Sequence, residues 1–158
     1  KEIYHNYLYA DNPRNNSTYT YNPDINGNFL VTSVDVDDTD IEADYANVHF
    51  YLNIDKLDMD KSIYVTGNFN GHQLNSSNKM NYNNLKNNYE LVLKLKQGFY
   101  NYRYSVLNNF NKEVEGYISG NFDETENNYK VIVYYRDYGS RYDRVIGYNN
   151  INSTKINN

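Results

Sequence analysis

The chain has 158 residues, with 15 Lys and Arg against 20 Asp and Glu, which gives a formal net charge of −5. This length suits one domain, or one domain with a substantial extension. The negative charge argues against a nucleic-acid partner, because binding to a phosphate backbone needs a basic surface. No run of about 18 apolar residues is present, so no transmembrane helix is predicted. The chain contains no Cys, which excludes disulfides and thiol catalysis.

Aromatic residues make up 16% of the chain, and Tyr alone occurs 20 times. The mean hydropathy of −0.90 is low, but disordered chains are poor in aromatic and β-branched residues. Tyrosine suits strand faces that are apolar at one end and wet at the other. The composition therefore predicts a folded domain with many strands, in which the abundant Asn residues form turns.

The N-terminal segment predicts an extended arm followed by a strand. Residues 1–28 are rich in Asn, Tyr and turn formers, and Pro13 and Pro23 stand where no helix could continue. From Phe29 the sequence FLVTSVDV alternates between apolar and polar residues, as a strand does. We interpret residues 1–45 as an arm and first strand that end a preceding domain.

The remainder of the chain, residues 46–158, predicts an antiparallel β-sandwich of the immunoglobulin-like type. Six further segments have strand character and are separated by clusters of Gly and Asn. Short strands at this spacing, without a long helical pattern, are typical of a sandwich. The predicted strands cover residues 47–54, 62–66, 89–96, 99–107, 113–119 and 129–136. The tail from residue 137 is predicted to be a loop with an apolar point at Val145 and Ile146.

No metal or cofactor site is predicted. The acidic segment 35–44 contains six carboxylates, at Asp35, Asp37, Asp38, Asp40, Glu42 and Asp44. Its spacing does not fit a calcium-binding EF-hand loop, because Asp40 stands where that loop needs Gly. A solvated acidic loop is the better interpretation. The three histidines, His5, His49 and His72, show no spacing typical of metal ligands.

No catalytic residues are predicted. The sequence has no Gly-x-Ser-x-Gly motif and no Ser beside a recognisable base. Nothing singles out a pair of carboxylates for acid–base catalysis. The chain is therefore predicted not to be an enzyme.

A Gly-x-Phe-Asn turn and a tyrosine-rich strand form the most specific local pattern. The turn reads GNFN from Gly67, with Phe69 expected as a buried anchor. The strand at 99–106 would place Tyr100, Tyr102 and Tyr104 on one face and Arg103 on the other. These rings are either a core stripe or a platform on which a sugar stacks.

The segment from about residue 46 to 136 resembles the early-set immunoglobulin-like domains typified by glycogen-binding modules. The resemblance rests on GNFNGH and GFYNYRY, which match the turn and the aromatic strand of those modules. It implies an early-set sandwich and, as one alternative, a glucan-binding surface. That surface would use His72 in place of the turn Trp, Arg103 in place of a Lys, and Phe110 near the second Trp.

Most of the chain also resembles the C-terminal part of the plug protein family of the Bacteroidetes type IX secretion system. The similar blocks, in order, are IEADYANVHFYL, VTGNFNG, MNYN, YELVLKLKQGFYNYRY and EGYISGNFDETENNYKVIVYYRDYGSRYDRVIGY. The resemblance implies an exported, periplasmic protein that associates with the outer-membrane translocon and closes its channel. It also implies that Lys1 lies within a longer protein, and it carries no catalytic residues.

The C-terminal run YYRDYGSRYDRVIGY combines Tyr, Arg and a small apolar point, a composition enriched at interface cores. We therefore predict a protein interface at Arg141, Tyr142, Arg144 and Tyr148. The alternative is a strand and tail that pack on the chain's own sandwich. The predicted function is a non-catalytic protein-binding domain whose partner is an outer-membrane translocon protein, with glucan binding as the alternative.

Overall fold

The computed structural model describes residues 3–20, 24–33 and 38–153. These residues confirm the predicted all-β class, since strands dominate and the α-helix among them has four residues. The chain divides into two compact units, Lys1–Asn121 and Phe122–Asn158. Neither helical segment in the described part of the chain is long and apolar enough to cross a bilayer.

Unit 1 contains eight of the strands, and unit 2 contains a hairpin. The strands are β1 (Tyr4–Tyr7), β2 (Phe29–Val31), β3 (Tyr45–Leu52), β4 (Lys61–Thr66), β5 (Asn81–Asn83), β6 (Asn88–Lys96), β7 (Gly98–Tyr100), β8 (Arg103–Asn108), β9 (Asn128–Tyr135) and β10 (Arg144–Asn152). Helix α1 covers Thr39–Glu42, and a 3-10 turn covers Asn68–Asn70.

The largest sheet of unit 1 has four strands in the order β1-β3-β6-β5. The β1 strand runs parallel to β3, whereas the other pairs are antiparallel. Strands β4 and β8 form a second sheet, which isolated bridges extend on both sides, Tyr64 to Lys79 and Leu107 to Glu113. Strands β2 and β7 form a short third ladder.

The core lies between the four-stranded sheet and the β4/β8 sheet. Because side chains alternate along a strand, Phe50 and Leu52 of β3 point to the same side as Tyr89 of β6, across the register. They pack against Ile63 and Val65 of β4 and their cross-strand partners on β8. All these side chains are buried, so the two sheets form the layers of a β-sandwich.

Asp11 ties the N-terminal arm to both layers. Its backbone N–H donates to the carbonyl of Tyr51 at 2.9 Å, and its carbonyl accepts from the N–H of Asn53 at 2.8 Å, which extends β3. Its carboxylate Oδ2 accepts from the hydroxyls of Tyr102 and Tyr104, each at 2.7 Å. Burial and the nearby carboxylate raise the pKa of both tyrosines, so both hydroxyls keep their protons and donate to Asp11.

The arm therefore packs within unit 1. Strand β1 belongs to the four-stranded sheet, and the N–H of Arg14 donates to the carbonyl of Ile118 at 2.7 Å. That residues 1–45 also end a preceding domain stays a prediction.

The Gly-x-Phe-Asn turn forms for a steric reason. A Cβ on Gly67 would lie 2.6 Å from the carbonyl oxygen of Asn101 and 2.6 Å from the Phe69 ring, so this position needs Gly. The side chain of Asn70 accepts from the N–H of Gly67 at 3.1 Å and donates to the carbonyl of Val65 at 3.2 Å. Phe69 packs against the core and is partly buried.

The predicted strand at 99–107 is interrupted. Asn101 and Tyr102 separate β7 from β8, and Oδ1 of Asn101 accepts from the N–H groups of Ile25 and Gly27, both at 3.0 Å. Because of the break, the three tyrosines do not share one environment. The hydroxyl of Tyr100 donates to the carbonyl of Lys96, whereas those of Tyr102 and Tyr104 donate to Asp11.

The strand predicted from Phe29 is observed as β2, which is all of it that forms within the described residues. Residues 34–37 lie outside the described residues.

The predicted strand at 113–119 is wrong. Glu113 forms one bridge and residues 115–119 form turns. Gly116 has a φ of +65°, which a strand cannot accommodate, and its carbonyl accepts from the N–H of Gly120 at 3.1 Å. The turn nevertheless buries Ile118 in the core, so the apolar pattern reflected burial and not a strand.

Unit 2 is the antiparallel hairpin of β9 and β10, and it corrects the prediction that the tail is a loop. Strand β10 has nine residues and pairs with β9 from Arg144 opposite Tyr135 to Asn152 opposite Asn128. The register shifts between Val145 and Gly147, which leaves Ile146 as a bulge. Because of this extra residue and the Asn residues that follow it, apolar and polar residues do not alternate regularly along β10, so the sequence pattern does not predict a strand.

We expect Asp11→Ala to lower the free energy of unfolding by about 2 to 4 kcal/mol, because it leaves two largely buried hydroxyls without their acceptor. Urea denaturation of wild type and variant measures the difference. The matched control is Asp55→Ala, since Asp55 is exposed and should change stability by no more than about 0.5 kcal/mol. Equal losses in the two variants would contradict the role given to Asp11.

Candidate interaction surfaces

The β9/β10 hairpin presents apolar side chains on both of its faces. Tyr129, Val131, Val133 and Tyr135 alternate with Ile132 and Tyr134 along β9, so the two sets face opposite sides. Tyr148 is the cross-strand partner of Ile132, and Val145 that of Tyr134. A strand with one solvated face would carry polar residues on that face. This hairpin has the pattern of strands that are covered on both sides.

These side chains are nonetheless open to solvent. Ten large apolar residues of the hairpin are each between 43% and 62% exposed. They are Tyr129, Val131, Ile132, Val133, Tyr134, Tyr135, Val145, Ile146, Tyr148 and Ile151. An apolar surface of this size on one element marks an interaction site in soluble proteins.

Two ion pairs hold the turn end of the hairpin. Arg136 binds Asp143 through two nitrogens, at 2.8 and 3.0 Å. Arg144 binds Asp137 at 2.8 Å, and its guanidinium lies 5.9 Å from the centre of the Tyr135 ring. These pairs are exposed, so each adds little to stability, but together they fix the geometry of the turn.

The four residues predicted for a protein interface all lie on this hairpin. Arg141 and Tyr142 are exposed in the turn, Arg144 starts β10, and Tyr148 lies in its middle. Arg144 is engaged with Asp137, so Arg141 is the more available cation. The predicted interface did not include the apolar residues of β9, although the sequence shows five consecutive apolar or aromatic residues there, VIVYY from Val131.

The residues predicted for a glucan surface do not form one platform. His72 and Arg103 lie at the same end of the β4/β8 pair, since the N–H of His72 donates to the carbonyl of Gly67 and Arg103 is opposite Thr66. Phe110 follows the other end of β8, roughly 17 Å or more along the strand. Phe110 is 75% exposed, and Arg103 is bound to Glu113 at 3.0 Å.

The face of the four-stranded sheet that points away from the core carries a row of aromatic rings, and we name it the outer face. The Tyr7 and His49 rings stack with centroids 4.3 Å apart and planes 23° apart. His5 and Tyr51 continue the row, with centroids 5.2 and 6.5 Å from that of His49. Neighbouring strands supply these residues, since Tyr7 of β1 pairs with His49 of β3.

His5 and His49 share a hydrogen bond. Nδ1 of His5 and Nε2 of His49 are 2.9 Å apart, so one of these nitrogens must be unprotonated to accept. Burial lowers the pKa of His49, and the neighbouring His5 and Lys86 lower it further, against the opposite effect of Glu90. The folded protein therefore favours the neutral form of His49.

A cleft of about 630 Å³ opens at one end of the sandwich in unit 1. Its apolar lining includes Val48, Phe50 and Leu95, and its polar lining includes Glu42 and Asp44. Tyr100 also lines it, and burial raises the pKa of this tyrosine. Within the described residues, no three or more His, Cys, Asp or Glu side chains are grouped so as to hold a metal ion. Asp35 and Asp37 of the acidic segment lie outside those residues.

The lowered pKa of His49 predicts a pH-dependent stability. Because the unfolded chain binds a proton more readily at this residue, the free energy of unfolding should fall as pH decreases from about 6.5 towards the pKa of the folded state. Chemical denaturation at several pH values should show a shallower decrease for His49→Gln. The control is His72→Asn, at an exposed left-handed position that Asn tolerates. Identical pH slopes for wild type and His49→Gln would contradict the assignment.

Comparison with known proteins identifies a shared fold. No family model matches the chain, and no curated protein matches it. The chain is similar to the crystal structure of a hypothetical protein from Parabacteroides merdae ATCC 43184, with 39% sequence identity and a TM-score of 0.78. The match covers 96% of this chain and 38% of that protein. The two proteins thus share a fold over nearly the whole length of this chain.

Proposed function

We propose that this chain is a non-catalytic protein-docking domain and that the β9/β10 hairpin makes the contact. The observation that carries the proposal is the set of ten half-exposed apolar side chains on both faces of two strands. A two-stranded hairpin is marginally stable in water by itself. A partner that covers these faces would stabilise the hairpin and use its apolar surface for binding.

The energetics favour a docking role. Burying a Val, Ile or Tyr side chain that is about half exposed contributes on the order of 1 kcal/mol. Tyrosine loses little conformational entropy when it docks, which makes Tyr134, Tyr142 and Tyr148 suitable anchors. The exposed Arg141 adds a donor at the turn end. Apolar faces bordered by Tyr and Arg fit a protein partner better than a polar ligand.

For the identity of the partner, we propose the outer-membrane translocon of a type IX secretion system, which this chain would help to close in the periplasm. The support is the ordered set of sequence blocks that resemble the plug family. The last of those blocks contains VIVYY and RVIGY, which lie in β9 and β10 of the exposed hairpin. We also propose that the sandwich is of the immunoglobulin-like type and that the chain has no catalytic activity.

Glucan binding has weaker support. It needs coplanar exposed rings and donors at one place, whereas Arg103 and Phe110 lie at opposite ends of β8 and Arg103 is paired with Glu113.

The test is co-purification of the protein with the outer-membrane translocon from membranes. We expect Ile132→Ser and Tyr148→Ser, which alter one cross-strand pair, each to lower the recovered translocon by about tenfold, as loss of an interface anchor does. Arg141→Ala with Tyr142→Ala tests the turn end of the same hairpin. The matched control is Ile41→Ser, because Ile41 is an exposed apolar residue of α1.

Circular dichroism of each variant verifies that the fold is intact. Undiminished recovery of the translocon with every hairpin variant, together with saturable binding of a glucan, would overturn the proposal in favour of a carbohydrate module.

A further inference from the structure

The outer face of the four-stranded sheet is positively charged, although the chain as a whole carries a net charge of −5. Lys94 and Lys96 of β6 lie on this face, across from Asn47 and Tyr45 of β3. Lys86, in the turn before β6, lies over the ring of Tyr51 at 5.6 Å from its centre. Strand register therefore holds Lys94 and Lys96 in position, and the turn before β6 positions Lys86.

One carboxylate, that of Glu90, lies on this face among the described residues, and it is already bound. It accepts from Lys86 at 2.8 Å and from the side-chain amide of Asn83 at 3.2 Å. These bonds lower the pKa of Glu90. Lys94, in contrast, contacts no carboxylate in the described part of the chain, and its ammonium lies 5.1 Å from the centre of the Tyr45 ring. An ammonium over an exposed tyrosine ring remains accessible to an anion.

We infer that the outer face binds an acidic polypeptide segment of a partner protein, with Lys94 and the edges of the Tyr7, His49 and Tyr51 rings as the contact. The Lys94 ammonium group, the imidazole N–H groups and the tyrosine hydroxyls are hydrogen-bond donors that suit carboxylates.

The arrangement of the rings favours a peptide over an anionic polysaccharide. A sugar platform needs an open ring face. The rings of Tyr7 and His49 cover each other, 4.3 Å apart, so they present edges and polar atoms to solvent. Cations and rings repeat every second residue along the strands, about 6.7 Å apart, which matches the side chains on one face of an extended peptide.

The experiment is a fluorescence-anisotropy titration of the whole chain with a labelled peptide of about ten residues, rich in Asp and Glu. Its neutral counterpart replaces these residues with Asn and Gln. We expect saturable binding of the acidic peptide alone, and weaker binding when the salt concentration rises from about 50 to about 300 mM. Lys94→Gln should weaken binding by about twofold to fivefold, as loss of an exposed ion pair does, and Lys94→Arg should retain it.

Two controls separate this surface from others. Lys112→Gln removes an exposed lysine of the turn after β8 and should leave the affinity unchanged. Ile132→Ser, on the hairpin, should also leave it unchanged, so failure of the proposed docking function would not affect this result. The inference is wrong if the acidic and neutral peptides bind equally, if Lys112→Gln and Lys94→Gln have the same effect, or if polygalacturonate binds and the acidic peptide does not.

Discussion

The sandwich of unit 1 depends on the carboxylate of Asp11. One oxygen accepts from the hydroxyl of Tyr102, just before β8, and from that of Tyr104, within β8, while the backbone of Asp11 extends β3. Because β3 and β8 belong to different sheets, a single residue of the arm joins the two layers. Asp11 is partly buried, and a carboxylate withdrawn from water is costly unless it accepts hydrogen bonds; the two hydroxyls supply two of them to Oδ2. Two of the twenty tyrosines therefore have a structural role as hydrogen-bond donors to Asp11.

The surfaces of the two units differ in chemistry, so they suit different kinds of contact. The outer face of the four-stranded sheet combines lysines with stacked rings, and its single described carboxylate is neutralised. The hairpin of unit 2 is apolar on both faces, and its charged groups are paired at the turn. The first surface suits a charged partner at low or moderate salt. A partner on the second would gain its binding free energy from desolvation of apolar side chains, which salt does not screen.

The sequence predicts the regular part of the fold well. Strands β3, β4, β6 and β9 were expected within two residues of their observed ends, because alternation and turn residues are local signals. Strand β10 was missed because the bulge at Ile146 shifts its alternation by one residue. The segment 113–119 was misassigned because Ile118 is buried by a turn.

The candidate surfaces could be predicted only in part. The Tyr and Arg content of residues 134–148 predicted an interface there, which stays a prediction, but not the hairpin that carries these residues. The contact of His5 with His49 joins residues 44 positions apart, and the parallel pairing of β1 with β3 that produces it leaves no local signal. The separation of Arg103 from Phe110 likewise follows from the register of β8 and not from their spacing in the sequence.

The exposed hairpin also has a consequence for how the chain behaves while it folds. The stretch Val131 to Tyr135 has five consecutive residues of high β-propensity without charge or Pro, and within the described part of the chain both strands of the hairpin have an unpaired edge. Such segments nucleate intermolecular sheets. The hairpin closes through a turn of eight residues, 136–143, so it forms faster than the long-range pairing of β1 with β3. A folding chain therefore forms an aggregation-prone element early, and covering that element would favour solubility.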